Sequence, residues 1–286
     1  MLIDLQLHST CSDGYLTPSE VAKTCQTRGV KVASLTDHNT VSGQEEFARA
    51  CRQLKIKAIP GIELYATLGR KHLNLLWYNF DIDDPELHNL LRDSQNRRRT
   101  SVRRALENLV KKGYTLDIDA LLDNQNHYAP INHVVDSFRK LNKARIQKEL
   151  GKKNILETEI IRNYFRKPDK TRLHESYINI TRVLKIKKRA GGQLVLAHPC
   201  LFRWVEEKTV RQLKALGLDG LEVLSPHHSW EGVSYLQAMA SEQKLIMSGG
   251  SDFHRFEAQT WYAIKSSWNY FAIESKLLKG VEKIIA

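Results

Sequence analysis

The sequence predicts an α/β fold in which strands alternate with helices around a parallel sheet or barrel, interrupted by a helical insertion. Three observations carry this expectation. Short apolar runs alternate with amphipathic stretches over the first 84 residues and again after Gly191-Gly192. Between Asp84 and Arg189 that alternation stops, and helical periodicity with dense charge replaces it. The apolar runs end in His, Asp or Glu, which is how a barrel delivers side chains to its rim.

The elements follow in order. The run Ile3 to Gly14 (IDLQLHSTCSDG) is a strand leading into a polar turn. Thr17-Pro18-Ser19-Glu20 starts a helix, with Thr17 as N-cap, Pro18 at the first helical position and Glu20 closing a capping box. Gly29 stops it. Strand VASL leads into Thr36-Asp37-His38, and Ser42 with Glu45 caps a second helix that ends near Leu54. Strands follow near Ile59 and Leu73. In the insertion, Val102, Ala105, Leu106 and Leu109 share one helical face. After Gly191-Gly192 come LVLAHP, a helix from Glu206 to Leu216 ended by Gly217, strand LEVL, a helix near Tyr235, strand LIMSGG and a C-terminal helix. The expected organisation is a barrel from residues 1–84 and 191–286, with 85–190 as a helical subdomain capping the substrate.

At 286 residues the chain can bury a full core. No apolar run reaches the roughly 18–20 residues of a membrane span. The start, MLIDLQLHS, has no basic segment ahead of an apolar stretch, so a cytoplasmic protein is expected, with no membrane partner. Cys11, Cys25, Cys51 and Cys200 form no C-x-x-C pair and read as reduced thiols. Forty-four Lys and Arg against 32 Asp and Glu give a formal charge of +12, with much of the excess between Arg92 and Arg189. That field favours an anionic partner. No G-x-x-x-x-G-K-[ST] loop is present, which argues against ATP-driven chemistry.

Imidazole and carboxylate are the usual ligands of zinc, manganese and iron, and the chain offers them at six strand ends. The set is His8, Asp13, His38, Glu63, His72, His198, Asp252 and His254. A cluster of two or three divalent ions needs a bridging carboxylate. Spacing places His8, Glu63 and Asp252 on one ion, with Glu63 bridging to a second on His72 and His198. Asp13, His38 and His254 form a third group. Pro199 is expected to keep His198 extended, since the residue before proline avoids the helical region. Asp37 is expected to orient a neighbouring ligand.

Taken in order, DLxLHSxxSDG, TDH, GIE, His72, AHP and GGSDFH resemble the motifs of the PHP (polymerase and histidinol phosphatase) superfamily. The chain is most similar to its stand-alone phosphoesterases, among them a nucleotide 3′,5′-bisphosphate phosphatase and a 5′-to-3′ exoribonuclease. The resemblance implies a distorted (β/α)7 barrel with a trinuclear site of Mn, Zn or Fe. It also implies a phosphoester hydrolase in which a metal-bridging hydroxide attacks phosphorus, with Glu63 and Asp252 in the catalytic set. A histidine at the mouth, His228 or His133, could protonate the leaving group, as could a metal-bound water.

Two positions depart from that pattern. Gln6 stands where the first histidine of His-x-His belongs, and an amide oxygen is a weaker, harder ligand than imidazole. Pro130-Ile131-Asn132-His133 keeps the histidine of an Arg-Pro-His stretch but puts Ile131 in place of the phosphate-binding arginine. Anion recognition then falls to Arg98, Arg99, Arg103, His133 and His228. The expected substrate is a nucleotide or other small phosphorylated metabolite. The alternatives are a 5′-to-3′ exonuclease on short RNA or DNA and a phosphate-binding relative without turnover.

Overall fold

The structure, a computed structural model, describes residues 1–123, 128–201, 203–256 and 272–286. Seven strands build the barrel: β1 (Leu2–Leu7), β2 (Val32–Leu35), β3 (Lys57–Leu68), β4 (Lys71–Tyr78), β5 (Gln193–Leu196), β6 (Gly220–Leu224) and β7 (Ile246–Gly249). In space they run β7-β6-β5-β4-β3-β2-β1. The ring closes where Leu7 bridges Phe253 just past β7, with the His8 amide donating to the Phe253 carbonyl at 2.9 Å. Seven strands that curl until the first meets the last form the distorted barrel that the sequence implied.

One strand breaks the expected parallel order. β4 runs antiparallel to both β3 and β5, while the other barrel pairs are parallel. The cause is local: only Gly69-Arg70 separates β3 from β4. A connection that short permits a hairpin and nothing else, and Gly69 takes the positive φ of +59° it requires. β2 and β7 are buried along their whole length, as strands covered on both faces must be.

Helix α1 (Pro18–Thr27) has the predicted capping box, Thr17 with Glu20, and Gly29 follows it with φ +72°. Helix α2 (Gln44–Gln53) starts differently. Its N-cap is Gly43 without a side-chain bond, and the Ser42 amide instead donates to Thr40, so the expected Ser42–Glu45 cap does not form.

Helix α3 (Pro85–Lys111) joins barrel to insertion. Asp84 caps it, accepting from the Leu87 amide at 2.9 Å. Leu87, Leu90 and Leu91 near its start pack in the barrel core, whereas Val102, Ala105, Leu106 and Leu109 enter a separate core. That second core is shared with α4 (Ile118–Asp123) and α5 (Ile131–Leu150) and reaches Leu173. Each leucine so buried contributes about 1.5–3 kcal/mol. The self-contained core is narrower than 85–190: Ile178–Asn179 pairs with β3, and α6 (Ile180–Ala190) packs on the barrel.

Helices α7 (Glu207–Leu216), ended by Gly217, and α8 (Trp230–Glu242) complete the outer layer. Of the predicted C-terminal helix, the described residues show one turn, Glu282–Ile285. The four cysteines are buried and free. Among the described residues no helix is long and apolar enough to cross a membrane.

Candidate active site

The ends of five barrel strands meet around Glu63, which is fully buried. Its Oε2 lies 3.1 Å from His8 Nε2, and its Oε1 lies 3.0 Å from His198 Nε2. His8 Nε2 is also 3.0 Å from Asp252 Oδ1, and His8 Nδ1 is 3.4 Å from Asp13 Oδ1. Asp13 Oδ2 sits 3.2 Å from His254 Nε2 and 3.5 Å from His38 Nε2. The rings themselves touch: His8 stacks on His254 at 4.2 Å, and His38 stacks on Tyr65 at 4.3 Å.

Local chemistry holds this arrangement. Asp37 accepts from the Ser9 amide at 2.8 Å, from Ser9 Oγ at 2.7 Å and from Ser12 Oγ at 2.6 Å, and so folds the turn that presents Asp13. A Cβ on Gly14 would collide with the His8 and Ser9 backbone, so that turn demands glycine. His198 and Asp252 have φ of +26° and +51°. Such strain in non-glycine residues persists only where surrounding contacts impose it. For His198 the contact is Glu222, whose Oε2 accepts the His198 amide at 2.7 Å. Pro199 therefore does not leave His198 extended as predicted; the bond to Glu222 and the following turn, in which the Leu201 amide donates to His198 O, win.

Burial would raise the pKa of Asp13, Glu63 and Asp252, yet each is held below the usual carboxylate range. His254 does this for Asp13 and Asp252, and His38 and His198 for Glu63. In return, Glu63 overcomes burial and pushes His198 up to about 9. Three ionised carboxylates in so small a space need positive charge beside them.

A divalent ion fits that need. Ligands on one ion, each roughly 2.0–2.2 Å from it, lie about 3–4 Å apart. The donor atoms of His8, Asp13, His38 and His254 all lie within 4.8 Å of one another, as do those of His8, Glu63 and Asp252. Both His8 nitrogens and His38 Nδ1 are buried without an aligned hydrogen bond, so each ring can turn the lone pair of one nitrogen to a metal.

The model of the PHP domain matches residues 4–167, more than half of the chain. The chain belongs to the PHP domain family. Two relatives are each 28% identical to it. One is a 5′-3′ exoribonuclease of Haemophilus influenzae, matched over 88% of this chain and 89% of its own. The other is a 3′,5′-nucleoside bisphosphate phosphatase of Chromobacterium violaceum, matched over 88% and 87%. A solved amidohydrolase of Chromobacterium violaceum, with bound sulfate and no metal, superposes with a TM-score of 0.74 at 24% identity, covering 94% of this chain and 95% of its own. That likeness extends the shared fold across the PHP barrel and the insertion.

Within this PHP barrel, eight of the nine expected metal-site positions gather. Gln6 is among them, fully buried, with Nε2 donating to Glu63 Oε2 at 3.0 Å. His72 is not. It pairs with Thr67 on β3, four residues along from Glu63 and so roughly 13 Å away. Its exposed ring stacks on Tyr177 at 3.9 Å. On the same face of β4, two residues closer, Asn74 occupies the place assigned to it, with Nδ2 3.4 Å from His198 Nε2.

The expected phosphate ligands fare worse. Arg98 is wholly buried, donating to the carbonyls of Ala129 and His174 and paired with Glu175 at 3.2 Å. Arg99 and Arg103 pair with Asp123 and Asp119 on the surface of α4. All three arginines are engaged by groups of the insertion, Arg98 in its interior and the other two on its surface. His133 keeps to the mouth but binds the Gly14 carbonyl at 3.1 Å. His228 is consumed structurally, with Nδ1 on the Val223 carbonyl and Nε2 accepting from the Cys200 amide.

Two further groups not singled out in the sequence lie near the rim. His227 Nε2 is 2.7 Å from Asp252 Oδ2, on a ring still about a quarter exposed. The neighbouring His228 drew attention away from it. Arg255 follows the ligand His254, lies over the Tyr15 ring at 3.9 Å and bonds Glu157 at 2.7 Å. Its position directly after SDFH was the available signal.

Proposed function

We propose that this protein is a metal-dependent phosphoesterase that removes phosphate from a nucleotide or related small phosphorylated metabolite. The observation that carries the reading is the rim itself: Asp13, Glu63 and Asp252 interleaved with the imidazoles of His8, His38, His198 and His254. When bound, divalent ions supply a water deprotonated at neutral pH and neutralise the phosphate oxygens. His8, Glu63 and Asp252 would hold one ion, and Asp13, His38 and His254 another. His227, oriented by Asp252, can protonate the leaving oxygen. The Arg255 guanidinium and His133, flanking Tyr15 at the mouth, are placed to receive phosphate oxygens.

A cleft of about 500 Å³ opens beside His198 and Asn74. The stacked His72–Tyr177 pair lines one side and Trp204 another, which suits a planar nucleobase. One feature favours exonuclease action as a second reading. Arg139, Lys140, Lys143 and Lys153 line a basic groove on the insertion that includes Asp136, the partner of Tyr15. A longer phosphate backbone could follow it to the rim.

The test is phosphate release from adenosine 3′,5′-bisphosphate and nucleotide release from short 5′-phosphorylated RNA, both with Mn²⁺. Preference for the bisphosphate supports the first reading, and preference for RNA the second. Metal binding without turnover of either marks a phosphate-binding relative.

A further inference from the structure

The donor sets around Glu63 are unequal, and on the metal-dependent reading this has a consequence. A neutral imidazole offers one lone pair to metal. His8 Nε2 faces Glu63 and Asp252 at 3.1 and 3.0 Å, closer than Nδ1 lies to Asp13. His8 thus completes the set His8–Glu63–Asp252, and Asp13–His38–His254 remains as a second full set. Each has three donors that are carboxylate or imidazole.

Nothing equivalent surrounds His198. It has Glu63 Oε1 at 3.0 Å, already shared, and the Asn74 amide at 3.4 Å. Among the described residues, no group of three His, Cys, Asp or Glu with mutually close donor atoms includes His198. His72, which could have supplied an imidazole, stacks on Tyr177 farther out on β4. A neutral amide beside one imidazole and a shared carboxylate is a poor cage for a transition metal.

Gln6 sharpens the asymmetry. A Cβ on Gly250 would strike the Gln6 backbone and Cβ, so the two segments are pressed together there, and the Gln6 amide donates to Glu63 Oε2 at 3.0 Å. Its Oε1 is buried without a partner. An oxygen there adds to the two carboxylates of the first set and favours a hard ion such as Mn²⁺ over zinc.

We propose that the rim holds two divalent ions tightly, and that Asn74 makes the position between Glu63 and His198 a weak third site. The experiment is to load metal-free protein with Mn²⁺, desalt it, count the metal by atomic emission and follow binding by calorimetry. Wild type should retain two ions per chain, with a third binding at least roughly 10–100-fold more weakly. Asn74→His, folded by circular dichroism, should retain three, and Asn74→Ala should still retain two. Three ions of similar affinity on wild type, loss of a tight ion in Asn74→Ala, or no gain in Asn74→His would overturn the proposal. Retention of a single ion contradicts the count of two, whereas retention of none contradicts the metal-dependent reading itself.

Discussion

The barrel rim and the inserted subdomain are both rich in charged side chains, yet they use them in opposite ways. At the rim, Asp13, Glu63 and Asp252 face imidazoles, the Gln6 amide and the Ser12 hydroxyl, with no Lys or Arg paired to them among the described residues, and these histidines come from separate strand ends. In the insertion, Arg98, Arg99, Arg103, Arg139 and Arg145 each face a carboxylate of the same subdomain. Charge that is satisfied locally builds structure. Charge left facing a shared space is available to a ligand. A second contrast lies along β1 and the residue that follows it, which carry Asp4, Gln6 and His8. At the rim, imidazoles hold the carboxylates ionised. Two residues below Gln6, burial dominates and raises Asp4 to about 7, despite bonds from the Ser251 and Gln6 amides.

The sharpest way to break the first contrast is through the insertion's buried arginine. Arg98→Ala leaves Glu175 with the Tyr128 hydroxyl but no cation, opens a hole beneath Tyr128, and should cost about 3 kcal/mol in urea unfolding. Arg99→Ala and Arg103→Ala remove exposed pairs and should each cost under about 0.5 kcal/mol, with kcat/KM unchanged. A large loss of activity in either exposed variant, with stability intact, would return these arginines to the substrate.

The two adjacent histidines offer a test of intermediate size. His227→Ala should lower kcat roughly 100-fold, the scale of a lost general acid, with little change in stability. His228→Ala should do the reverse, because it leaves the Val223 carbonyl and the Cys200 amide without their side-chain partner. Equal kinetic defects would erase the distinction drawn between them.

Asp4 tests the contrast within the barrel. Its folded pKa of about 7 exceeds the unfolded value near 3.8, so the native state binds the extra proton between them. Stability should therefore fall as pH rises from about 4 to about 7, then level off. Asp4→Asn removes that slope and should be about 1–2 kcal/mol more stable than wild type at pH 8. An unchanged pH profile in the variant would mean that Asp4 is ionised and tolerated.

Much of the rim was legible because strand ends carry their chemistry in residue type: His8, Asp13, His38, Glu63, His198, Asp252 and His254 meet as spacing implied. His72 was misplaced for a geometric reason. Residues 72, 74 and 76 share one face of β4, and only the strand register, with Leu76 opposite Glu63 and the Asn74 carbonyl accepting the Ala197 amide, puts Asn74 rather than His72 beside His198. A histidine is conspicuous in a sequence; the asparagine two places on is not. The arginines of α3 read as anion ligands because Asp119, Asp123 and Glu175, their actual partners, are brought to them only by tertiary packing. The choice between His227 and His228 rests on a turn after β6 that residue type alone does not specify.

Glu63 is where these lines meet, since both its oxygens face the rim. The most direct measurement compares phosphate release from adenosine 3′,5′-bisphosphate by wild type and Glu63→Gln, each stripped of metal and then given Mn²⁺. Wild type should be inactive when stripped and recover with Mn²⁺, while Glu63→Gln should stay at least roughly 1,000-fold slower. Full activity in stripped wild type, or in Glu63→Gln, would contradict a metal-dependent phosphoesterase built on this rim.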